Sequence, residues 1–384
     1  MLYFPFELAR FTLEEFSTLN PQPSIFQYFN FSIFQLSTLN FQLSTFNFQF
    51  STVYTPSPTR YTSGMKYRRC GKSGILLPEL SLGFWHNFGN VTPEEQSRAI
   101  VLAAFDAGIT HFDLANNYGP DPGAAELRLG RFLKDDLHVY RDELFISTKA
   151  AYDMWDGPYG SWASRKHLMA SIDQSLMRLG LEYVDLFYCH RYDPVTPLEE
   201  TLRALVDIVR SGKALYIGLS RWPREAAYKG YKYLREHEVP CLIYQGRLNL
   251  FDQTLLRDGT ITDVQRRDLG FIAFSPLAQG LLTDRYLNGI PADSRMARDP
   301  RYLKQDALTP NKLESIRQLN AIAAERGEAL ATMALAWILY HDAVTSVIIG
   351  ASSPEQLRSN LACLNSPEFT TRQLADITHA LELI

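Results

Sequence analysis

The sequence predicts an α/β fold: a TIM (β/α)8 barrel, forming a single domain behind an atypical low-complexity N-terminal extension. Three observations lead there. From Met65 onward, short β-branched or aromatic runs alternate with longer amphipathic stretches, the pattern of βαβ units on a parallel sheet. Eight such pairs occur, and eight close into a barrel more naturally than they form an open doubly wound sheet. The strand runs are nearly pure apolar, as strands covered on both faces must be.

The extension, residues 1–64, comes first. It holds 12 of the 23 phenylalanines, no lysine and one glycine, Gly64, so composition changes abruptly at its end. Phe-Gln-Leu/Phe-Ser-Thr recurs at 34–38, 41–45 and 48–52, a period too short for a solenoid unit. These repeats lack the helix formers and charged flanks of a coiled coil. Glu7 spoils a signal peptide, and no run of about 18 apolar residues could span a membrane. Residues 1–64 are expected to be a disordered tail or untranslated, with translation starting at Met65, and residues 65–384 to form the barrel.

Within that body the expected strands are Leu80–Phe84, Thr110–Leu114, Leu144–Lys149, Val184–His190, Ala214–Ser220, Cys241–Gln245, Gly270–Ser275 and Ser346–Ile349. Helical patterns between them cover Glu94–Ala107, Ala124–Lys134, Lys166–Arg178, Leu198–Arg210 and Arg224–Glu236. Pro-Glu-Glu at 93–95 and Pro-Leu-Glu-Glu at 197–200 read as helix starts, with proline in the first turn and acids at the positive dipole end. Gly108 and Gly180 sit where helices would end. A dinucleotide-binding open sheet would need G-x-G-x-x-G after the first strand, and Leu80–Gly89 has nothing of that form.

Charge and cysteine content narrow the function. With 38 basic and 42 acidic residues the formal charge is −4, which offers no footprint for nucleic acid or an anionic membrane and favours a small-molecule substrate. Cys70, Cys189, Cys241 and Cys363 form no C-x-x-C pair, so a reduced, cytoplasmic setting without a metal site is expected.

In this architecture chemistry gathers at the C-terminal ends of the strands. Strand two ends His111-Phe112-Asp113, followed by Leu114-Ala115-Asn116-Asn117-Tyr118-Gly119; strand three ends Ser147-Thr148-Lys149, and strand four Tyr188-Cys189-His190. Taken singly, Asp113 could cap a turn, Tyr118 sit on the rim, Lys149 be solvated and His190 be a bonded core residue. Together they fit one pocket better. An ammonium at the inner end of an apolar strand needs a partner, and Asp113 on the neighbouring strand is suited. A cation beside a phenol lowers its pKa and makes it a better proton donor, so Tyr118 is the expected general acid. His190 could hold a substrate oxygen beside it.

The run Phe-Asp-Leu-Ala-Asn-Asn-Tyr-Gly at 112–119, Ser-Thr-Lys at 147–149 and Cys-His at 189–190 resemble the signatures of the aldo-keto reductases. The likeness extends from Tyr67 to the C-terminal helices. It is strongest to the branch holding the L-glyceraldehyde 3-phosphate reductases and the potassium channel β subunits, through Met154-Trp155-Asp156-Gly157-Pro158-Tyr159-Gly160, Ser164-Arg165-Lys166 and Tyr286-Leu287-Asn288-Gly289-Ile290-Pro291.

That resemblance implies an NADPH-dependent reduction of small aldehydes, glyceraldehyde 3-phosphate or methylglyoxal among them, with Asp113, Tyr118, Lys149 and His190 as the catalytic group. It implies NADP(H) contacts from Trp85, Asp113, Ser220, Arg221, Gln245, Ser275, Pro276, Leu277, Arg285, Ser294, Arg295, Gly350, Ser352, Gln356 and Asn360. Gln245 would meet the nicotinamide carboxamide, Arg295 would favour the 2′-phosphate, and a helix start bearing Ser352 would hold an anion. Relatives usually carry glutamate where this chain has Ser359, and often tyrosine at Leu248. The resemblance also suggests a homo-oligomer. Trp155, Tyr159 and Trp222 are candidate substrate liners. Two other functions compete: a channel-β-like regulatory subunit, in which asparagine typically replaces the histidine found here as His190, and a Schiff-base aldolase using Lys149.

Overall fold

The computed structural model describes residues 54–55, 64–292, 294–298 and 303–384, without the side chains of Arg295 and Arg298. The expectation for residues 1–64 therefore lies outside the described residues, save Tyr54, Thr55 and Gly64.

A hairpin opens the described body, β1 (Tyr67–Arg69) pairing antiparallel with β2 (Leu76–Pro78). Eight parallel strands follow: β3 (Leu80–Gly83), β4 (His111–Asp113), β5 (Phe145–Ala150), β6 (Val184–Cys189), β7 (Ala214–Ser220), β8 (Cys241–Arg247), β9 (Gly270–Phe274) and β10 (Ser346–Ile349). Pairing of β10 with both β9 and β3 closes the barrel. Every expected strand is present with ends shifted by two residues at most, the usual uncertainty of strand limits.

Outside the barrel lie α1 (Glu94–Asp106), α2 (Ala124–Phe132), α3 (Arg165–Leu179), α4 (Leu198–Arg210) and α5 (Arg224–Glu236), then the short α6 (Thr254–Arg257), α7 (Thr260–Arg266) and α8 (Arg295–Arg298). Four more complete the chain: α9 (Pro310–Glu325), α10 (Leu330–Leu339), α11 (Pro354–Leu361) and α12 (Thr371–Leu381). The cap expectations hold in part. Gly180 ends α3 in the left-handed region at φ 67°, and Gly108, at φ 84°, follows the Ala107 cap of α1. The pattern expected to stay helical to Lys134 stops at Phe132 and continues as a π-turn over Leu133–Leu137.

Alternation along each strand divides the side chains between two surroundings. On β4, Phe112 packs outward near Phe84, with ring centroids 5.7 Å apart, while His111 and Asp113 share the inner face. Leu186, Tyr188, Ile243, Ile272 and Ile348 cluster inside, and Cys70 and Leu77 of the hairpin complete that cluster, sealing the barrel floor. Gly218 on β7 makes room for the Tyr188 ring: a Cβ there would lie 2.4 Å from Tyr188 Cε1.

Candidate active site

Three strand tips bring the four expected residues together. Asp113 ends β4, where it is in register with Gly83 and Ser147; Lys149 sits opposite Tyr188 between β5 and β6. Its neighbour Thr148 points the other way and donates to the buried Glu126 of α2, which also holds Arg178 Nε of α3 at 2.7 Å. That outer anchor fixes β5 against two helices, so Lys149 is presented inward from a strand with no slack.

Lys149 is fully buried. Its Nζ donates to Asp113 Oδ2 at 2.6 Å and to the Leu114 carbonyl at 2.6 Å. The Tyr118 hydroxyl accepts a longer bond from the same ammonium at 3.5 Å. Tyr118 meets His190 edge to face at 5.8 Å, and Tyr152 packs on His190 the same way at 4.7 Å. His190 hangs from β5 by its backbone N–H on the Ala150 carbonyl at 2.9 Å, while its buried Nδ1 has no partner among the described residues.

The protonation states follow from these contacts. Burial, then Asp113 and Tyr152, hold the Tyr118 phenol well above its ordinary value, against a smaller pull from Arg221. This corrects the expectation that Lys149 depresses it. The ammonium is paired at 2.6 Å with Asp113, so the pair presents little net charge to the phenol 3.5 Å away. Burial lowers Lys149 too, and Asp113 opposes that shift. His190 is pushed well below the usual histidine range by burial and by the cations Lys149, Arg221 and Arg191. Around neutral pH the site therefore presents a neutral phenol and a neutral imidazole beside a buried ion pair. It can protonate an oxygen placed between Tyr118 and His190.

The other expected residues fall on the same mouth in three groups. Ser220, Arg221 and Gln245 lie at the ends of β7 and β8; Gln245 Nε2 donates to Asp113 Oδ1 at 3.0 Å. Ser275, Pro276 and Leu277 follow β9, with the Ser275 carbonyl accepting from Asn249 at 2.9 Å. Gly350 follows β10, but Ser353, not Ser352, caps α11. Ser352 is instead bonded through N and Oγ to Gln356 Oε1 at 2.6 and 2.9 Å, and Asn360 donates to the Gly350 carbonyl at 3.3 Å. Glu355 occupies the first turn of that helix, so an anion there would share the position with a carboxylate.

Trp85, after β3, packs on His86, and Arg285 is exposed. The Ser294 hydroxyl accepts from the Ala297 N–H, and the side chain of Arg295 lies outside the described residues. Leu248 is fully buried and Ser359 exposed. Among the candidate liners, Trp222 is buried against Tyr192, Trp155 stacks on His167, and Tyr159 is exposed.

Sequence reasoning passed over two residues next to His190. Arg191 lies 4.4 Å over the Tyr152 ring and 3.7 Å over Trp162, donating to the Ala151 carbonyl at 3.0 Å and Ser161 Oγ at 2.9 Å. Its place directly after His190 was the available signal; Tyr152, from the preceding loop, had none.

The closed parallel barrel with an acid, phenol, amine and imidazole at three adjacent strand tips is that of a family of oxidoreductases. Residues 79–382 match the Aldo/keto reductase family, and the chain belongs to it. The chain is 56% identical over 324 residues to the L-glyceraldehyde 3-phosphate reductase of Escherichia coli, covering 84% of this chain and 93% of that protein. To a probable voltage-gated potassium channel subunit beta of Oryza sativa subsp. japonica it is 34% identical over 320 residues, 83% of this chain and 96% of that protein. These are the two groups to which the motifs pointed.

The family implies a nicotinamide dinucleotide, and the mouth fits one. Ser220 Oγ is wholly buried with no partner among the described residues, as a hydroxyl awaiting a polar ligand would be. Arg221 and Ser275 beside it hold φ of 57° and 54°, strain of the kind stored at ligand sites. Among the described residues, no group of three or more His, Cys, Asp or Glu could hold a metal, and no helix is long and apolar enough to cross a membrane.

Proposed function

We propose that this protein reduces small aldehydes to alcohols with NADPH, with Tyr118 as general acid, and that its preferred substrates carry a phosphate. The observation that carries the reading is the Tyr118 hydroxyl placed 3.5 Å from an ammonium locked to Asp113 and beside a neutral imidazole whose buried Nδ1 has no partner among the described residues. When bound, NADPH supplies the hydride that reaches the carbonyl carbon. Tyr118 gives its proton to the carbonyl oxygen, His190 orients that oxygen, and the tyrosinate left behind accepts the hydrogen bond that Lys149 Nζ directs at it from 3.5 Å. Trp85, Ser220, Arg221, Gln245, Ser275, Pro276, Leu277 and Arg285 would hold the dinucleotide, with Ser294, Arg295, Gly350, Ser352, Gln356 and Asn360 at its adenosine end. Gln245 keeps Oε1 for the carboxamide while Nε2 stays on Asp113.

A phosphorylated aldehyde such as glyceraldehyde 3-phosphate suits the charge of the mouth. Arg191 and Arg221 both act on His190, and among the described residues Arg191 has only the exposed Asp153, at 3.6 Å, as counter-ion. The substrate named for the bacterial relative supports this choice over methylglyoxal. A regulatory subunit without turnover fits less well, because the full group with His190 is in place. An aldolase needs Lys149 as a free amine, and Asp113 keeps it an ammonium. The four described cysteines are buried free thiols, in keeping with a cytoplasmic enzyme.

The test is an NADPH-oxidation screen over small aldehydes, phosphorylated and not, with NADH as control. Turnover favouring NADPH and the phosphorylated aldehydes is expected. A borohydride-trapped substrate adduct without NADPH oxidation would establish the aldolase instead.

A further inference from the structure

Behind Asp113, on the inner face of the barrel, runs an unbroken chain of buried polar side chains from four strands. Ser346 Oγ of β10 meets Ser81 Oγ of β3 at 2.6 Å; Ser81 Oγ meets His111 Nδ1 at 2.8 Å; His111 Nε2 meets Ser147 Oγ of β5 at 3.0 Å; and Ser147 Oγ meets Asp113 Oδ1 at 2.8 Å. All four hydroxyl and imidazole members are fully buried.

The direction of every proton in the chain follows from its end. An Asp113 carboxylate paired with Lys149 only accepts, so Ser147 donates to it. Ser147, with its one proton committed, must accept from His111, which requires the proton on Nε2. Burial holds the His111 ring neutral, its pKa lowered to about 4; Lys149 adds to the shift and Asp113 opposes it. Nδ1 is therefore bare and accepts from Ser81, and Ser81 in turn accepts from Ser346.

We propose that His111 is a positioning residue for the reduction. Clamped by Ser81 and Ser346 in its Nε2–H tautomer, it forces the Ser147 proton onto Asp113 Oδ1. Ser147 and Gln245 then hold Oδ1, which leaves Oδ2 facing Lys149 at 2.6 Å and keeps the ammonium under Tyr118. A ring serving only to fill the barrel would leave Ser147 free to turn toward the Phe112 carbonyl, 3.4 Å away.

Two measurements on the full chain test this. Two-bond nitrogen-15 NMR of the histidine rings, with His111 assigned by the signals lost in His111→Gln, should show a neutral Nε2–H ring down to pH 5. An Nδ1–H ring, or a cationic ring at pH 6, overturns the proposal, whatever the substrate proves to be. Ser147→Ala and His111→Phe should each lower kcat about 10-fold, the worth of one hydrogen bond to a charged group, with KM little changed. The double variant should be no slower than either single, because both act through one bond. Losses that multiply, or full kcat in Ser147→Ala, overturn the proposal. Should His111→Phe not fold, the wild-type tautomer and Ser147→Ala decide it.

Discussion

Lys149 Nζ and Asp113 Oδ2 lie 2.6 Å apart with side chains 0% and 3% exposed, so each charge depends on the other. Removing one partner from such a pair leaves a buried charge without compensation, which costs about 3–5 kcal/mol. Asp113→Asn should destabilise the protein by that amount in denaturant unfolding and should also abolish most turnover. A variant that loses turnover at unchanged stability would mean that Lys149 finds another anion.

Tyr118→Phe keeps the ring that packs on His190 and removes only the hydroxyl. Its kcat should fall by about 10²–10⁴, the usual worth of one general acid. NADPH affinity, read by fluorescence titration, should hardly change, because the phenol acts on the substrate oxygen. Unchanged turnover would take Tyr118 out of the mechanism.

Arg191 pairs loosely with acid, 3.6 Å from an Asp153 side chain that is 90% exposed. A charge-assisted bond to a substrate phosphate contributes about 1.5–3 kcal/mol. Arg191→Gln should therefore lower kcat/KM for a phosphorylated aldehyde by about 10–10²-fold relative to its uncharged analogue. Equal losses on both substrates would reduce Arg191 to a clamp on the loop carrying Tyr152 and Trp162.

The sequence exposes the barrel because strands buried on both faces leave apolar runs of distinct length, and Ala214–Ser220 and Ser346–Ile349 stand in the structure as expected. It exposes the catalytic group for the converse reason: polar residues break those runs only at their ends. The hairpin was illegible, since β1 and β2 span three residues each, too short to show a period of two. The direction of the Tyr118 shift was illegible as well. Residue types predict that an ammonium approaches a phenol, but only the structure shows that the phenol is buried and that the ammonium is already paired to Asp113 at 2.6 Å. Ser147 and His111 stand in the strand-end motifs without a role of their own until their hydrogen bonds connect β3, β4, β5 and β10.

Residues 1–64 are proposed to stand outside the enzyme proper. Among the described residues Tyr54 touches the body: its ring packs on the core, and its hydroxyl donates to Asp106 Oδ1 at 2.6 Å at the end of α1, with the Leu102 carbonyl at 3.4 Å. Deleting residues 1–64 should leave kcat/KM intact and cost about 1–3 kcal/mol of stability through the lost Tyr54 contacts. A large fall in kcat/KM would make the segment part of the site.

The buried histidine inside the barrel also predicts how acid acts on the fold. His111 has its pKa lowered from 6.5 to about 4, so between those values the unfolded chain binds a proton that the folded chain does not. Stability from this group is therefore complete above pH 6.5 and is lost as pH falls through that window to about 4, by on the order of 3 kcal/mol. His190, also lowered by burial, acts in the same direction. Unfolding free energies measured from pH 7 to pH 4 should fall more steeply for the wild type than for His111→Gln, which has nothing to protonate at that position. Parallel curves would mean that His111 already titrates at its ordinary value in the folded protein, and would contradict the neutral ring on which its contact with Ser147 depends.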